Sequence, residues 1–124
     1  MNGSSIDEIL AESRRNLERV EPEQLAGQMA DGALVVDIRP VESRDAEGRL
    51  PGAVVVDRNV LEWRLDPTSP DRIEEAQDAE RVVILVCNEG YASSLAAETL
   101  QRIGLHRATD LVGGYRAWKE RVTR

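Results

Sequence analysis

Residues Arg81 to Gly104, RVVILVCNEGYASSLAAETLQRIG, decide the fold. Val82 to Val86 form an unbroken apolar run bounded by a glycine-containing turn, which predicts a short strand buried on both faces, as in a parallel sheet. Beyond the turn, Leu95, Ala96, Thr99, Leu100 and Ile103 recur at helical spacing. Cys87, the one cysteine of the chain, therefore stands in a strand-loop-helix turn. There the first N–H groups of the helix lack intrahelical partners and the helix dipole places partial positive charge, so the turn is suited to an anion. On its own, a lone cysteine after an apolar strand reads as a small buried hydrophobe. The loop Asn88 to Ser93 points elsewhere. Gly90 lets the backbone curl so that several N–H groups face one centre, which favours the thiolate and makes Cys87 a candidate nucleophile.

Working outward, 124 residues suit one compact domain. With no Phe, its core must rest on Val, Leu, Ile and Ala. A net charge of -7 argues against nucleic acid or an anionic membrane surface as partner. A single cysteine excludes an internal disulfide, a CxxC redox pair and a cysteine zinc cluster, so any disulfide or persulfide chemistry must be resolved by another molecule. The sequence shows neither signal-peptide character nor a run near ~20 apolar residues, and a cytoplasmic location is the expectation.

Ser5 and Glu8 form a capping box that predicts a helix over Ser5 to Arg19, with Ile6, Ile9, Leu10 and Leu17 as an apolar stripe. Residues 1–20 are read as a helical extension, packed on the domain or on a partner, and 21–124 as the domain itself. A second helix is expected from Glu21 to Gly32, then a strand from Ala33 to Ile38 with Asp37 and Arg39 at its carboxyl end, where ligands of parallel sheets gather. Pro51-Gly52 marks a turn before a strand at Ala53 to Val56, and Arg58 follows as a candidate anion contact or a salt-bridged surface residue. Asn59 to Leu65 reads as helical, with Val60, Leu61 and Trp63 packing, and Asp66 to Glu80 as an acidic surface connection. A last strand is expected at Asp110 to Val112. Gly113-Gly114 then turns into a helix whose Tyr115, Trp118 and Val122 cover the sheet. The alternation predicts an α/β sandwich with a mainly parallel central sheet flanked by helices.

Cys87 to Ala97 resembles the active-site loop and following helix of single-domain rhodanese-like sulfurtransferases. Val35-Val36-Asp37-Ile38-Arg39, Gly48-Arg49-Leu50-Pro51-Gly52-Ala53 and Asp110-Leu111-Val112-Gly113-Gly114-Tyr115-Arg116-Ala117-Trp118 fit the same family in order and spacing. The resemblance implies a rhodanese-like three-layer sandwich and a persulfide on Cys87. Its substrate-binding loop would be Asn88, Glu89, Gly90, Tyr91, Ala92 and Ser93. Sulfur would come from thiosulfate or a persulfide donor and leave to cyanide, a thiol or a protein cysteine. Asp37 and Arg39 would pin loops beside the site, the Gly-Gly turn would lie against the active loop, and His106 would stand remote from it. Arg44-Asp45 and Arg49 depart from the common family pattern. So does Glu89, expected at the mouth of the pocket, where its carboxylate would repel a doubly charged donor. Two other readings are a non-catalytic protein-binding module of this fold, and a phosphatase or arsenate reductase; against the latter, Ser93 stands where such a loop ends in arginine.

Overall fold

The computed structural model describes residues 3–122. In chain order it holds α1 (Ile6–Arg14), α2 (Leu25–Ala30), β1 (Leu34–Asp37), α3 (Val41–Glu47), β2 (Val54–Val55), α4 (Leu61–Leu65), β3 (Val83–Val86), α5 (Ala92–Arg102), β4 (Ala108–Asp110) and α6 (Gly114–Val122), with single 3-10 turns leading into α2 and α4. The four strands lie in the order β2-β1-β3-β4, every pair parallel. β3 sits between β1 and β4, so the strand that ends at Cys87 is central.

Alternation along β1 and β3 splits the core in two. Leu34, Val36, Val83 and Leu85 face Leu61, Leu65, Ala96, Ala97 and Leu100 from α4 and α5. Val35, Ile84 and Val86 face Leu25, Leu111 and Tyr115, with Met29 and Trp118 against them. Period-2 side-chain direction thus gives a strand two buried faces, and helices cover both. This is the three-layer α/β arrangement expected, with the parallel sheet between helical layers.

The ends of the elements move. The predicted helix over Ser5 to Arg19 has its capping box, but α1 stops at Arg14. Val20 must be extended because its N–H donates to the Asp110 carbonyl and its carbonyl accepts from Val112, forming a parallel bridge with Leu111. A tertiary pairing cuts the helix short. Leu10 and Leu17 are buried while Ile6 and Ile9 are exposed, so α1 packs on α5 along a narrower stripe than the sequence suggests. Pro40 to Gly48, to which the sequence reading assigned no element, contains α3. Trp63 and Val60 are exposed, contrary to expectation. In so short a helix Leu61 and Leu65, four apart, occupy the inner face, and Trp63, two positions from each, falls on the opposite side. Val122 is likewise exposed. The last strand begins at Ala108, opposite Val83, two residues before the expected start. The proposed division at residues 20 and 21 extends to Met1, Asn2, Thr123 and Arg124, which lie outside the described residues.

Candidate active site

Cys87 follows β3 directly and its side chain is nearly buried. Its Sγ accepts from the Gly90 N–H at 3.1 Å and from the Ser93 N–H at 3.4 Å, and its thiol donates to Ser93 Oγ at 3.2 Å. Ser93 lies in the first turn of α5, where N–H groups have no helical acceptor. Gly90 supplies the other donor with φ +85°, and a side chain there would begin 2.8 Å from Gly113 N. The curl of the loop therefore requires glycine twice over, by backbone angle and by space.

The same loop is held from its carbonyl side by the start of α6. Tyr115 N donates to the Cys87 carbonyl at 2.8 Å and Arg116 N to the Asn88 carbonyl at 3.1 Å. Gly114 comes so close, at φ +66°, that a Cβ on it would meet the Cys87 and Asn88 carbonyls. With its carbonyls bound outward, the loop turns N–H groups inward at the sulfur.

In front of the sulfur lies a cavity of about 320 Å3. Cys87, Asn88, Glu89, Tyr91, Ala92, Arg39 and Arg58 all line it. Arg58 pairs with Glu62 at 2.9 Å, and its side chain remains partly exposed. Glu89 is exposed at the cavity and pairs with Arg116 at 3.5 Å, so its charge is partly offset. Arg116 also binds Glu47 at 2.9 Å, and that hydrogen bond, ahead of the charge attraction, holds the Glu47 carboxyl below its ordinary range despite opposing desolvation. Asn88 Nδ2 donates to Ser43 Oγ of α3 at 3.2 Å, tying the loop to a helix the sequence did not reveal.

Asp37 and Arg39 do not both meet the cavity. Asp37 is buried behind Arg39, whose Nη2 donates to Asp37 Oδ2 at 2.7 Å and to the Gly48 carbonyl at 2.9 Å. The Arg39 Nη1 has no hydrogen-bond partner among the described residues. The face of Tyr115, with its centroid 3.8 Å from Arg39 Cζ, offsets part of that loss. The pair thus joins β1, the Gly48 turn and α6 under the cavity floor. His106 is exposed on the α5 to β4 connection and lines a separate cleft with Asn16 and Arg107.

The sequence reading missed the support beneath the loop. Ser93 Oγ and Ser94 Oγ both donate to Asp110 Oδ2, each at 2.7 Å, and all three residues are fully buried. Arg19 forms a salt bridge to Asp110 at 2.8 Å. Arg19 and Arg14 also donate to the Gly90 carbonyl, at 3.1 and 2.7 Å, and Arg14 Nε donates to Ser94 Oγ at 2.9 Å. One signal for this was available. An acidic residue inside a predicted buried strand demands cationic or hydrogen-bonding partners, and Asp110 is such a residue.

Comparison with known proteins bears on this geometry. A model of the rhodanese-like domain family matches residues 21–121. The thiosulfate sulfurtransferase GlpE of Stutzerimonas stutzeri is 32% identical over 104 residues, which cover 84% of this chain and 86% of that protein. Human single-domain sulfurtransferase TSTD1 superposes with a TM-score of 0.71 at 26% identity, covering 83% of this chain and 96% of its own. A Rhodopseudomonas palustris protein of unknown function, described as a possible tyrosine phosphatase, superposes with a TM-score of 0.85 at 28% identity, covering 97% of this chain and 92% of its own. Arg14 and Arg19 precede the segment matched by the family.

Proposed function

This chain belongs to the rhodanese-like domain family and is a rhodanese-type sulfurtransferase, and from that premise we propose that it transfers a sulfane sulfur through a persulfide on Cys87. The observation that carries the proposal is the Cys87 sulfur at the inner end of the cavity, with the Gly90 and Ser93 N–H groups directed at it. With thiosulfate as donor, the Cys87 thiolate attacks the outer sulfur, the S–S bond of thiosulfate breaks, and sulfite leaves with the electron pair. The product is Cys87-S-S⁻, whose anionic sulfur occupies the cavity in front of the loop amides. Cyanide, a small thiol or a protein cysteine then attacks that outer sulfur and the Cys87 thiolate returns. Fixed N–H dipoles favour each anionic sulfur without reorganising during the reaction, and the two half-reactions give ping-pong kinetics.

Cofactor and metal play no part in this scheme, since the nucleophile, the donor and the acceptor supply every bond made or broken. The Glu89 carboxylate at the cavity supports a neutral or protein-bound persulfide, rather than thiosulfate, as the natural donor. The scheme needs a free thiol, which persists in a reducing compartment, and the cytoplasm is our assignment. No helix among the described residues is long and apolar enough to cross a membrane.

Intact mass spectrometry after incubation with thiosulfate or a small persulfide tests the reading. One added sulfur is expected on wild type and none on Cys87→Ser. A protein that stays unmodified by every donor and inactive with cyanide is instead the binding module. The likeness to a possible tyrosine phosphatase favours one second reading, hydrolysis of a phosphate ester at Cys87. Against it, Ser93, which stands where a phosphatase loop ends in arginine, is buried and bonded to Asp110. Turnover of p-nitrophenyl phosphate lost in Cys87→Ser would favour that reading over sulfur transfer.

A further inference from the structure

The donor closest to the Cys87 sulfur comes from the most permissive residue of the loop. Gly90 has no side chain to pack, and glycine loses more conformational freedom on ordering than any other residue. Its N–H is nevertheless fixed on Sγ at 3.1 Å. Its carbonyl shows the means: two guanidinium groups bind that one oxygen, Arg14 Nη2 at 2.7 Å and Arg19 Nη2 at 3.1 Å. Both arginines are themselves held. Arg14 Nε donates to Ser94 Oγ, and Arg19 spans both oxygens of Asp110, at 2.8 and 3.2 Å. Asp110 in turn accepts from Ser93, the residue that supplies the second N–H to the sulfur. Hydrogen bonds with a charged partner are about twice as strong as neutral ones.

We propose that Arg14 and Arg19 are positioning residues for sulfur transfer: the N-terminal segment clamps the Gly90 carbonyl from behind and so keeps the Gly90 N–H on the reacting sulfur. The segment is then part of the site rather than an appendage to it. The clamp acts most where the sulfur is anionic, in the persulfide and in the transition states on either side, because there a misdirected N–H loses most. It therefore bears on kcat more than on KM. The inference rests on Cys87 as the reacting sulfur.

The test compares full-length wild type with Arg14→Gln, Arg14→Lys, Arg19→Gln and the double variant Arg19→Gln/Asp110→Asn, at a temperature where each is folded. Arg15→Gln, exposed on the same segment, controls for the loss of one charge. Each Gln variant is expected to lower kcat for thiosulfate and cyanide about tenfold or more, with KM for thiosulfate moving less than about threefold. Arg14→Lys should recover part of the loss, since an ammonium can reach one of the two acceptors but cannot span them as the guanidinium does.

Arg19→Gln also leaves Asp110 buried without its cation and is expected to melt lower. The double variant removes that imbalance. It should regain melting temperature without regaining kcat, and a kcat that returns together with stability would overturn the proposal. Amide exchange followed by NMR reads the clamp without any turnover. Gly90 N–H should exchange about tenfold faster in the Gln variants relative to Val36 N–H in the central strand, whose rate follows global stability. An unaltered Gly90 rate overturns the clamp even if the wild type proves to use other chemistry, and absent sulfur transfer in wild type with accelerated Gly90 exchange retains the clamp while overturning the sulfurtransferase mechanism.

Discussion

The two sides of the Cys87 loop are built differently. Behind it, Ser93, Ser94 and Asp110 are fully buried and joined by bonds of 2.7 Å, with Arg19 closing the network. In front of it, Glu89 and Arg116 meet at 3.5 Å with more than half of each side chain in solvent, and Arg58 leans on Glu62 with 39% of its side chain exposed. A buried charge left without its partner is costly, whereas exposed pairs contribute about 0–1 kcal/mol and rearrange readily. The rear therefore fixes the direction of the N–H groups, which any sulfur transfer requires. The front is free to differ, and in the reading proposed above Glu89 there bears on the choice of donor.

Substitution can break that contrast, and the largest effect belongs to the sulfur between the two sides. Cys87→Ser should abolish persulfide formation and sulfur transfer while leaving the fold nearly intact, because serine fills the same space but is a poor nucleophile without an adjacent base. Thiosulfate:cyanide activity retained in the folded variant would remove Cys87 from the reaction.

Next comes the rear. Gly114→Ala places a Cβ against the Cys87 and Asn88 carbonyls at a φ of +66°, and should cost about 2–4 kcal/mol from backbone strain and overpacking together. Chemical denaturation measures it. A loss under about 1 kcal/mol would show that the α6 turn gives way easily and that the rear is less rigid than its hydrogen bonds imply.

The front should yield a smaller, selective change. Glu89→Lys is expected to lower KM for thiosulfate several-fold with less effect on kcat, since a repulsion of about 1 kcal/mol at an effective dielectric near 20 corresponds to a several-fold change in binding. Raising ionic strength should shrink the gain. Steady-state kinetics at low and high salt decide, and an unchanged KM at low salt would separate Glu89 from donor choice.

The smallest effect lies at the edge of the front, in Glu47. The hydrogen bond from Arg116 holds the folded Glu47 carboxyl below its ordinary range, so the pair contributes stability above the unfolded value and loses it as pH falls through the lower folded value. Glu47→Gln should therefore melt slightly below wild type at pH 7, and the two curves should converge in acid. A difference that persists or grows as pH falls would place the stabilisation elsewhere.

Much of this site was legible as sequence because its signals are local. A short uninterrupted apolar run bounded by a turn reads as a strand with both faces covered, and a glycine between it and a helical repeat predicts a turn with free N–H groups at its exit. Cys87 and Gly90 follow from those two facts, while Ser93 came with the family resemblance. Trp63 and Val122 misled for a related reason: a large apolar residue predicts burial, yet which face a short helix presents depends on its neighbours in space. Neither α3 nor the early end of α1 has a strong local signature. α3 has no fully buried residue and no side-chain cap, and α1 ends at Arg14, after which the chain runs on to Val20, whose N–H donates to the Asp110 carbonyl 90 positions along the chain.

By itself the sequence determined that a parallel sheet carries Cys87 at the carboxyl end of a strand, and that the loop after it can gather N–H groups on one centre. Hydrophobic periodicity and glycine backbone freedom act over a few residues, so a linear reading captures them. Tertiary structure alone decided what holds that loop: Arg14 and Arg19 reach Gly90 and Asp110 across 71 to 91 positions. A charge carries no label for its partner in the sequence; burial of Asp110 creates the demand, and only folding brings the cation that meets it.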